Sequence, residues 1–489
     1  MQYTTPLFPG FHLSSLRRKP RSAAEVLAAE RQRARKKSIS QLDECFGRFI
    51  PREVLQPEDS GQFSRRRLFD KANTFWGFFT QVLDADGGCQ EVVRKFQALA
   101  AAKAMPAPSS STAAYCKARQ RLPTKTLQHI LAHTTEQLQQ RHGLPSLEGR
   151  RVVVVDGTGL SMPDTSANQA RWPQQAQQKL GCGFPQARLS ACFSLYSGAL
   201  LSYRLGHRKQ QELPLLRDQW ETFERGDIFL GDKAYCSYYD IAQFQARGVD
   251  TVCTLGIRKP VPRSQAVAVL GKEDWLVRWP RPKMARQLSY SEAERTALPE
   301  YLLVRQIKVG VNNPGFRAKE FYLITTLIDA DRFPAETLAD LYLQRWDVEL
   351  FLRDLKTTMG MDILRCKTPA MVEKEILMHL IVYNCIRLLI NEAAQRIKAS
   401  PGQISFKATQ QALRQWQPML DDARRSRAQR RQLMVLLIEA IASKSLCHRP
   451  GRREPRAVKR RPKPFALLTA PRHQMKDIPH RGRYRAESA

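Results

Sequence analysis

Apolar residues recur at helical spacing near both ends of the chain and at strand spacing through its middle. Over 64–141 the pattern predicts four helices. Ser64 is placed to cap the first, which carries Leu68, Phe69, Phe75, Trp76, Phe79 and Leu83 and closes at Asp86-Gly-Gly88. A second is predicted over 90–103, a third, capped from the serines of 106–111, runs through Tyr115 and Arg119, and a fourth follows Pro123 over 126–141. At Gly149 the period changes. Arg151-Val-Val-Val-Val155 is a β-branched run suited to a buried strand, ending in Asp156-Gly-Thr. Strands are expected at 187–196 and 200–206 around a Ser197-Gly198 turn, then a helix at 214–223. A strand at 228–230 leads into Gly231-Asp232, followed by a helix at 238–247 and a strand at 251–255. Residues 257–328 read as β-rich, with strands at 275–279, 301–309 and 320–328. One helix is expected over 334–359, a long one over 370–397, and two more over 405–416 and 430–443.

Three strands, a helix, a strand, a helix, a strand and a late helix is the order of a ribonuclease H-like sheet. The β-rich stretch then reads as an insertion before the last helix of that domain. The fold class is therefore α/β. No internal repeat interrupts this order.

Charge narrows the partners. The 489 residues carry a formal net charge of +33. Such an excess repels itself and favours a polyanion, with nucleic acid first and an anionic membrane surface as the alternative. Clusters such as Arg17-Arg-Lys-Pro-Arg21 and Arg31-Gln-Arg-Ala-Arg-Lys-Lys37 make 1–60 a basic flexible arm, with a short helix at 23–29. The Arg, Lys and Pro of 449–489 make a solvated basic tail. Between them stand a helical DNA-binding domain at 61–148, a ribonuclease H-like catalytic domain at 149–370 with its insertion at about 257–328, and a helical region at 371–448. Lys117, Arg119 and Arg121 suit a DNA face, although a purely structural bundle explains that stretch equally well.

The ten cysteines form no CxxC pair and no cluster at zinc spacing, so reduced thiols in a cytoplasmic protein fit, Cys192, Cys253 and Cys385 being in apolar surroundings. The first residues do not read as a signal peptide. The apolar stretch from Ile376 to Ile390 is interrupted by His379, Asn384 and Arg387, as in a buried helix.

The most specific chemistry lies in Tyr342, Arg345, Glu349 and Lys356, at offsets of 3, 7 and 14 from the tyrosine. At about 100° per residue they fall within roughly a 60° arc of one helix, beside an apolar stripe of Leu341, Val348, Leu352 and Leu355. A carboxylate between two cations and a phenol suits a site for a metal ion and phosphates. A solvated face with i,i+4 ion pairs is the other meaning of such charges. Asp156 and Asp232 each follow an apolar strand, and such residues converge at one sheet edge. Three carboxylates drawn together need cations, and oxygen donors without His or Cys favour Mg²⁺ or Mn²⁺. Singly, either aspartate is more commonly a turn or cap residue; the order of both with the Tyr-Arg-Glu-Lys helix is the specific signal.

The chain resembles bacterial insertion-sequence transposases of the DDE type, in the insertion-sequence-four family. The likeness rests on Asp156-Gly-Thr with Pro163-Asp-Thr, on Gly231-Asp232-Lys-Ala-Tyr, and on Tyr342-x2-Arg345-x3-Glu349-x6-Lys356. Thr357-Thr-Met-Gly-Met-Asp, Arg365-Cys-Lys-Thr-Pro and the upstream Thr74-Phe-Trp and Thr112-Ala-Ala-Tyr-Cys-Lys-Ala-Arg blocks extend it over about 64–400. The resemblance implies Mg²⁺-dependent cleavage at transposon ends and attack of the freed 3′-hydroxyl on target DNA, by a dimer or larger synaptic complex. It implies Asp156, Asp232 and Glu349 as ligands of two ions, and Tyr342, Arg345 and Lys356 as phosphate contacts. In some relatives a Trp after the signature Arg handles a flipped base. Trp346 holds that place, with a core tryptophan as the other reading. A ribonuclease H-like nuclease without strand transfer and a catalytically silent DNA-binding relative are the competing functions.

Overall fold

The computed structural model describes residues 45–444 apart from 58–59, 65–66, 85–86, 103–105, 142–146, 177–178, 180, 208–209, 211, 257, 283–290, 311–319 and 421–425, together with 4–5, 8–12, 470 and 474–475. The helix expected at 23–29 lies outside the described residues, as does the basic tail but for three positions. The chain divides into two compact units, 1–122 with 416–433 and 123–415 with 434–489.

Among the described residues the first unit is helical apart from a short antiparallel pairing of Thr4–Thr5 with Phe8–His12. Its helices are α1 (Lys71–Leu83), α2 (Cys89–Ala102) and α3 (Ala113–Arg121). Asp70 caps α1, accepting from the Asn73 amide at 2.7 Å, because it directly precedes the first helical residue. Ser64, the cap expected from the sequence, instead donates to the Gly61 carbonyl at 2.9 Å. Phe69, Val92, Val93, Phe96, Tyr115 and Ala118 form the core. The flexible arm expected over 1–60 is ordered in its last part: Cys45, Phe46, Phe49, Ile50 and Leu55 are buried, and Phe46 meets Phe79 at 4.8 Å between centroids. Aromatic burial there outweighs the local charge that suggested an arm. Arg119, expected on a DNA face, is buried. It donates to Gln81 Oε1 at 3.0 Å and lies over the Phe78 and Tyr115 rings, so it holds the bundle together.

The second unit is mixed α/β. It starts with α4 (Thr124–Arg141), which clusters with this unit and not with the three helices before it, so the expected boundary at 148 is not where the contacts divide. Nine strands make one sheet: β1 (Val152–Ser161), β2 (Gln186–Ser194), β3 (Leu200–His207), β4 (Ile228–Gly231), β5 (Asp250–Thr254), β6 (Ala268–Gly271), β7 (Asp274–Pro280), β8 (Tyr301–Gly310) and β9 (Glu320–Thr325). Their order is β3-β2-β1-β4-β5-β9-β8-β7-β6. Only the β1–β4 and β4–β5 pairs are parallel. The first five strands follow the ribonuclease H-like order expected from the sequence. The β-rich insertion is no separate layer. Its β9 pairs antiparallel with β5, Leu323 opposite Thr254, and so covers what would be an open sheet edge. The short strand β6 was not visible in the sequence because four residues carry too little periodicity.

The connecting helices are α5 (Ser166–Arg171), α6 (Glu212–Arg217), α7 (Tyr238–Ala246) and α8 (Glu292–Thr296), the last opened by a Ser291/Glu294 capping box. Then come α9 (Ala335–Gln344), α10 (Asp347–Arg353) and α11 (Pro369–Arg396), followed by α12 (Phe406–Leu420) and α13 (Arg427–Ala442). Among the described residues α11 alone is long and apolar enough to cross a membrane, and it is buried inside the fold. Its polar interruptions are satisfied: Asn384 accepts from the Leu200 amide at 3.0 Å, His379 bonds the Glu375 carbonyl at 2.8 Å, and Arg387 pairs with Asp354 at 3.4 Å. Gly198 in the β2–β3 turn has φ +66°, and a Cβ there would meet the Arg387 guanidinium at 2.8 Å.

Candidate active site

Two aspartates meet because two strands run parallel and in register. The last β1–β4 pair is Val154 opposite Leu230. Asp156 and Asp232 each lie two residues further, on adjacent strands about 4.8 Å apart. The sequence suggested that β1 stops at Asp156. It continues to Ser161, paired with β2, while the parallel partner β4 stops. Asp156 thus stands mid-strand yet at an open notch of the sheet. Its Oδ1 accepts from the Gly157 amide at 2.7 Å, and Asp232 Oδ1 accepts from the Ala234 amide at 2.8 Å.

The signature segment is not the single helix expected over 334–359. Between α9 and α10 the bonds shorten to i→i−3: Arg345 N to Tyr342 O at 3.0 Å, Val348 N to Arg345 O at 3.1 Å and Glu349 N to Trp346 O at 3.1 Å. Asp354–Thr358 then widens into a π turn containing Lys356, with Met359 N donating to Asp354 O at 2.9 Å. Tightening and widening shift the angular phase, so the four residues do not form one exposed stripe. Tyr342 and Arg345 are buried, Lys356 is half-buried and Glu349 is exposed. The apolar stripe behaves as its spacing requires, with Leu341, Val348, Leu352 and Leu355 all buried. The end of the π turn is tied back to β1: the Leu364 amide donates to Ser161 O at 2.8 Å. The Glu375 carboxylate holds the Arg365 and Cys366 amides at 2.9–3.1 Å.

Arg345 is the link between the carboxylates. Its guanidinium lies 4.0 Å from Glu349 and its charge acts on Asp156, drawing that carboxyl down. It stacks on Trp346 at 4.7 Å and on Tyr342 at 5.7 Å, and its buried Nε has no hydrogen-bond partner. Tyr342 in turn shares a 2.9 Å hydrogen bond with Thr254 at the end of β5. Trp346 is 43% exposed, which excludes a core role.

Burial pushes the Asp156 carboxyl up to about 6, and the charges of Glu212 and Asp232 push the same way. Among the described residues no three His, Cys, Asp or Glu side chains stand close enough to hold a metal ion as they are. Asp156 and Asp232 nevertheless suit a hard divalent cation: they are half-buried oxygen donors, and like charge at Asp156 is relieved by a cation. Glu212, on the first turn of α6, was missed by the sequence reading, since a lone Glu in a helix first turn carries no signal beyond helix-dipole preference.

A sheet with two aspartates level where parallel strands end, beside a segment carrying Arg345, Glu349 and Lys356, is an arrangement compatible with metal-dependent phosphoryl transfer. Comparisons with known proteins make this specific. A family described as "Transposase DDE domain" matches residues 147–385. The chain is similar to "Transposase InsG for insertion sequence element IS4" of Escherichia coli (strain K12), 28% identical over 371 residues, which is 75% of this chain and 80% of that protein. Among solved structures it is similar to a piggyBac transposase synaptic complex with hairpin DNA, at 10% identity and TM-score 0.41 over 84% of this chain and 85% of that one. Residues 147–385 thus match a transposase DDE domain, and these likenesses support reading the chain as a DNA transposase of the insertion-sequence-four kind.

Proposed function

We propose that Asp156, Asp232 and Glu349 are the metal ligands of this transposase, that the metal is Mg²⁺, replaceable by Mn²⁺, and that two ions are held. The observation that supports this most is the register of Asp156 with Asp232 beside Arg345 and Glu349. When bound, such ions lower the pKa of a water or 3′-hydroxyl and stabilise the leaving oxygen of a phosphodiester. The protein's own groups position the DNA. Arg345 and Lys356 hold phosphates of the transposon end, Tyr342 acts beneath Arg345, and the exposed face of Trp346 stacks on a base. Engagement of a phosphate draws Arg345 away from Glu349, which frees that carboxylate to join the aspartates.

The domain reading goes with this proposal. The helical unit before the sheet binds DNA through residues other than Arg119, and the basic tail adds sequence-independent affinity. The enzyme works on element ends and target DNA in a homodimer or larger synaptic complex, in the bacterial cytoplasm at the nucleoid. Incubating the full chain with DNA carrying its element's own ends and Mg²⁺, then mapping products, tests the whole. Joined strands are expected. Nicked DNA with no joining at any target would favour the nuclease reading, and bound but uncut DNA the silent one.

A further inference from the structure

Where the parallel strands β4 and β5 end, two segments leave the same edge of the sheet. Gly231 is paired with Cys253, so the loop opened by Asp232 and the chain after Thr254 emerge side by side. The Leu255 amide still donates to the Tyr322 carbonyl of β9 at 2.8 Å. Gly256 then passes so close to the Asp232 loop that a Cβ on it would stand 2.8 Å from the Lys233 carbonyl oxygen. Only a residue without a side chain fits that approach. Arg258 follows two residues on. It lies four residues past Thr254. That is a reach of at most about 15 Å, the span of a few phosphates along one DNA strand.

The Arg258 side chain is half-buried and seated on two rings of the insertion's core. Its guanidinium carbon lies 4.8 Å from the Trp279 ring centroid and 5.9 Å from that of Tyr238. Both residues are 2% exposed and share a buried cluster with Trp275, Val277 and Val304. Tyr238 is itself pinned, its hydroxyl donating to the Pro299 carbonyl. The rings restrain the guanidinium and use none of its donors. Among the described residues no carboxylate or carbonyl accepts from Arg258. Arg281 of the same insertion differs, its Nη1 being spent on the carbonyls of Arg295, Thr296 and Leu298 at 2.8–3.2 Å. Arg258 is thus a half-buried cation with its N–H donors unspent, in a chain of net charge +33.

We propose that Arg258 is a further DNA contact of this enzyme, a fork set in advance by Trp279 and Tyr238 to take one backbone phosphate beside the Asp232 loop. This rests on the reading of the chain as an enzyme acting on DNA. It gives the β-rich insertion a chemical task, since its aromatic core holds a cation whose donors stay free for the substrate. A fork already restrained loses little conformational freedom on binding. Lysine is no equivalent, because an ammonium cannot grip a phosphate through two parallel bonds.

The test measures binding of the full chain to two duplexes, one carrying the element's end and one of unrelated sequence, at several salt concentrations, with thermal unfolding of each variant. Arg258→Met is expected to weaken binding roughly 10–100-fold. It should also reduce the salt slope by about one counterion while unfolding as the wild type does. Arg258→Lys keeps the charge and therefore the slope, yet binds more weakly than the wild type. A loss confined to the end duplex places the phosphate on the element, and an equal loss on both places it on any backbone, target DNA included; either supports the contact. Unchanged affinity and slope in Arg258→Met on both duplexes overturns the proposal. So does a fall in thermal stability with the slope intact, which would make Arg258 a structural cation. Wild-type protein with no salt-dependent affinity for either duplex overturns the underlying reading instead.

Discussion

Two buried arginines in the second unit show opposite designs. Arg305, on β8, is fully buried and satisfied: Nε donates to both Asp274 oxygens at 2.8 and 3.1 Å, Nη2 pairs with the same carboxylate, and Nη1 donates to the Phe333 carbonyl at 2.6 Å. Arg345, nearly as buried, has a loose 4.0 Å contact with Glu349, two aromatic neighbours and an orphan Nε. Arg305 has all three guanidinium nitrogens bonded inside the fold. Arg345 keeps donors in reserve, as a phosphate-binding group must. Arg151 with Asp227 and Arg217 with Asp240 are of the first kind, paired at 2.6 and 2.8 Å. Burial alone does not separate these two kinds of arginine; the completeness of the hydrogen bonding does.

The largest expected effect tests the functional side. Glu349→Ala should reduce strand cleavage below detection while end binding persists and stability changes by no more than about 0.5 kcal/mol, since an exposed carboxylate with a 4.0 Å partner holds little. Mg²⁺-dependent cutting by that variant removes Glu349 from the centre. Next, Asp274→Ala strands the Arg305 charge in the core and should lower stability by about 3–5 kcal/mol in urea denaturation. A smaller loss breaks the comparison from the structural side. Arg345→Met should shift stability by less than about 1 kcal/mol, because no full set of bonds is lost. The same variant should weaken end binding by about 1.5–3 kcal/mol, the range for a hydrogen bond to a charged group. A destabilisation as large as that of Asp274→Ala would place Arg345 with the structural arginines. Smallest is Lys356→Ala: a modest loss of affinity and a salt dependence of binding reduced by about one counterion. An unchanged slope, read from binding at several salt concentrations, removes Lys356 from the phosphate contacts.

Much of the sheet was legible before any coordinates. The β-branched run at 151–155 and the alternating strands around Ser197-Gly198 declare themselves because burial on a sheet imposes a short-range pattern. Asp156, Asp232 and Glu349 were legible as candidates from motif and position. The charge of Glu212 near Asp156 was not, since α6 is brought to β1 over a separation of 56 residues. Arg119 stayed open between a DNA face and a structural bundle for the same reason. A cation among cations looks exposed until Gln81 and two aromatic rings close over it.

Local chemistry in the chain determined that strands alternate with helices, that a basic protein seeks a polyanion, and that a Tyr-Arg-Glu-Lys segment lies against an apolar core. Tertiary structure alone decided which of those charges are spent and which remain available. It set the parallel register that brings Asp156 level with Asp232, extended the sheet through β9, and bent the signature helix through a tight turn and a π turn. The physical reason is range. Propensity and periodicity act over a few residues, whereas desolvation and charge coupling depend on neighbours that only the completed fold supplies.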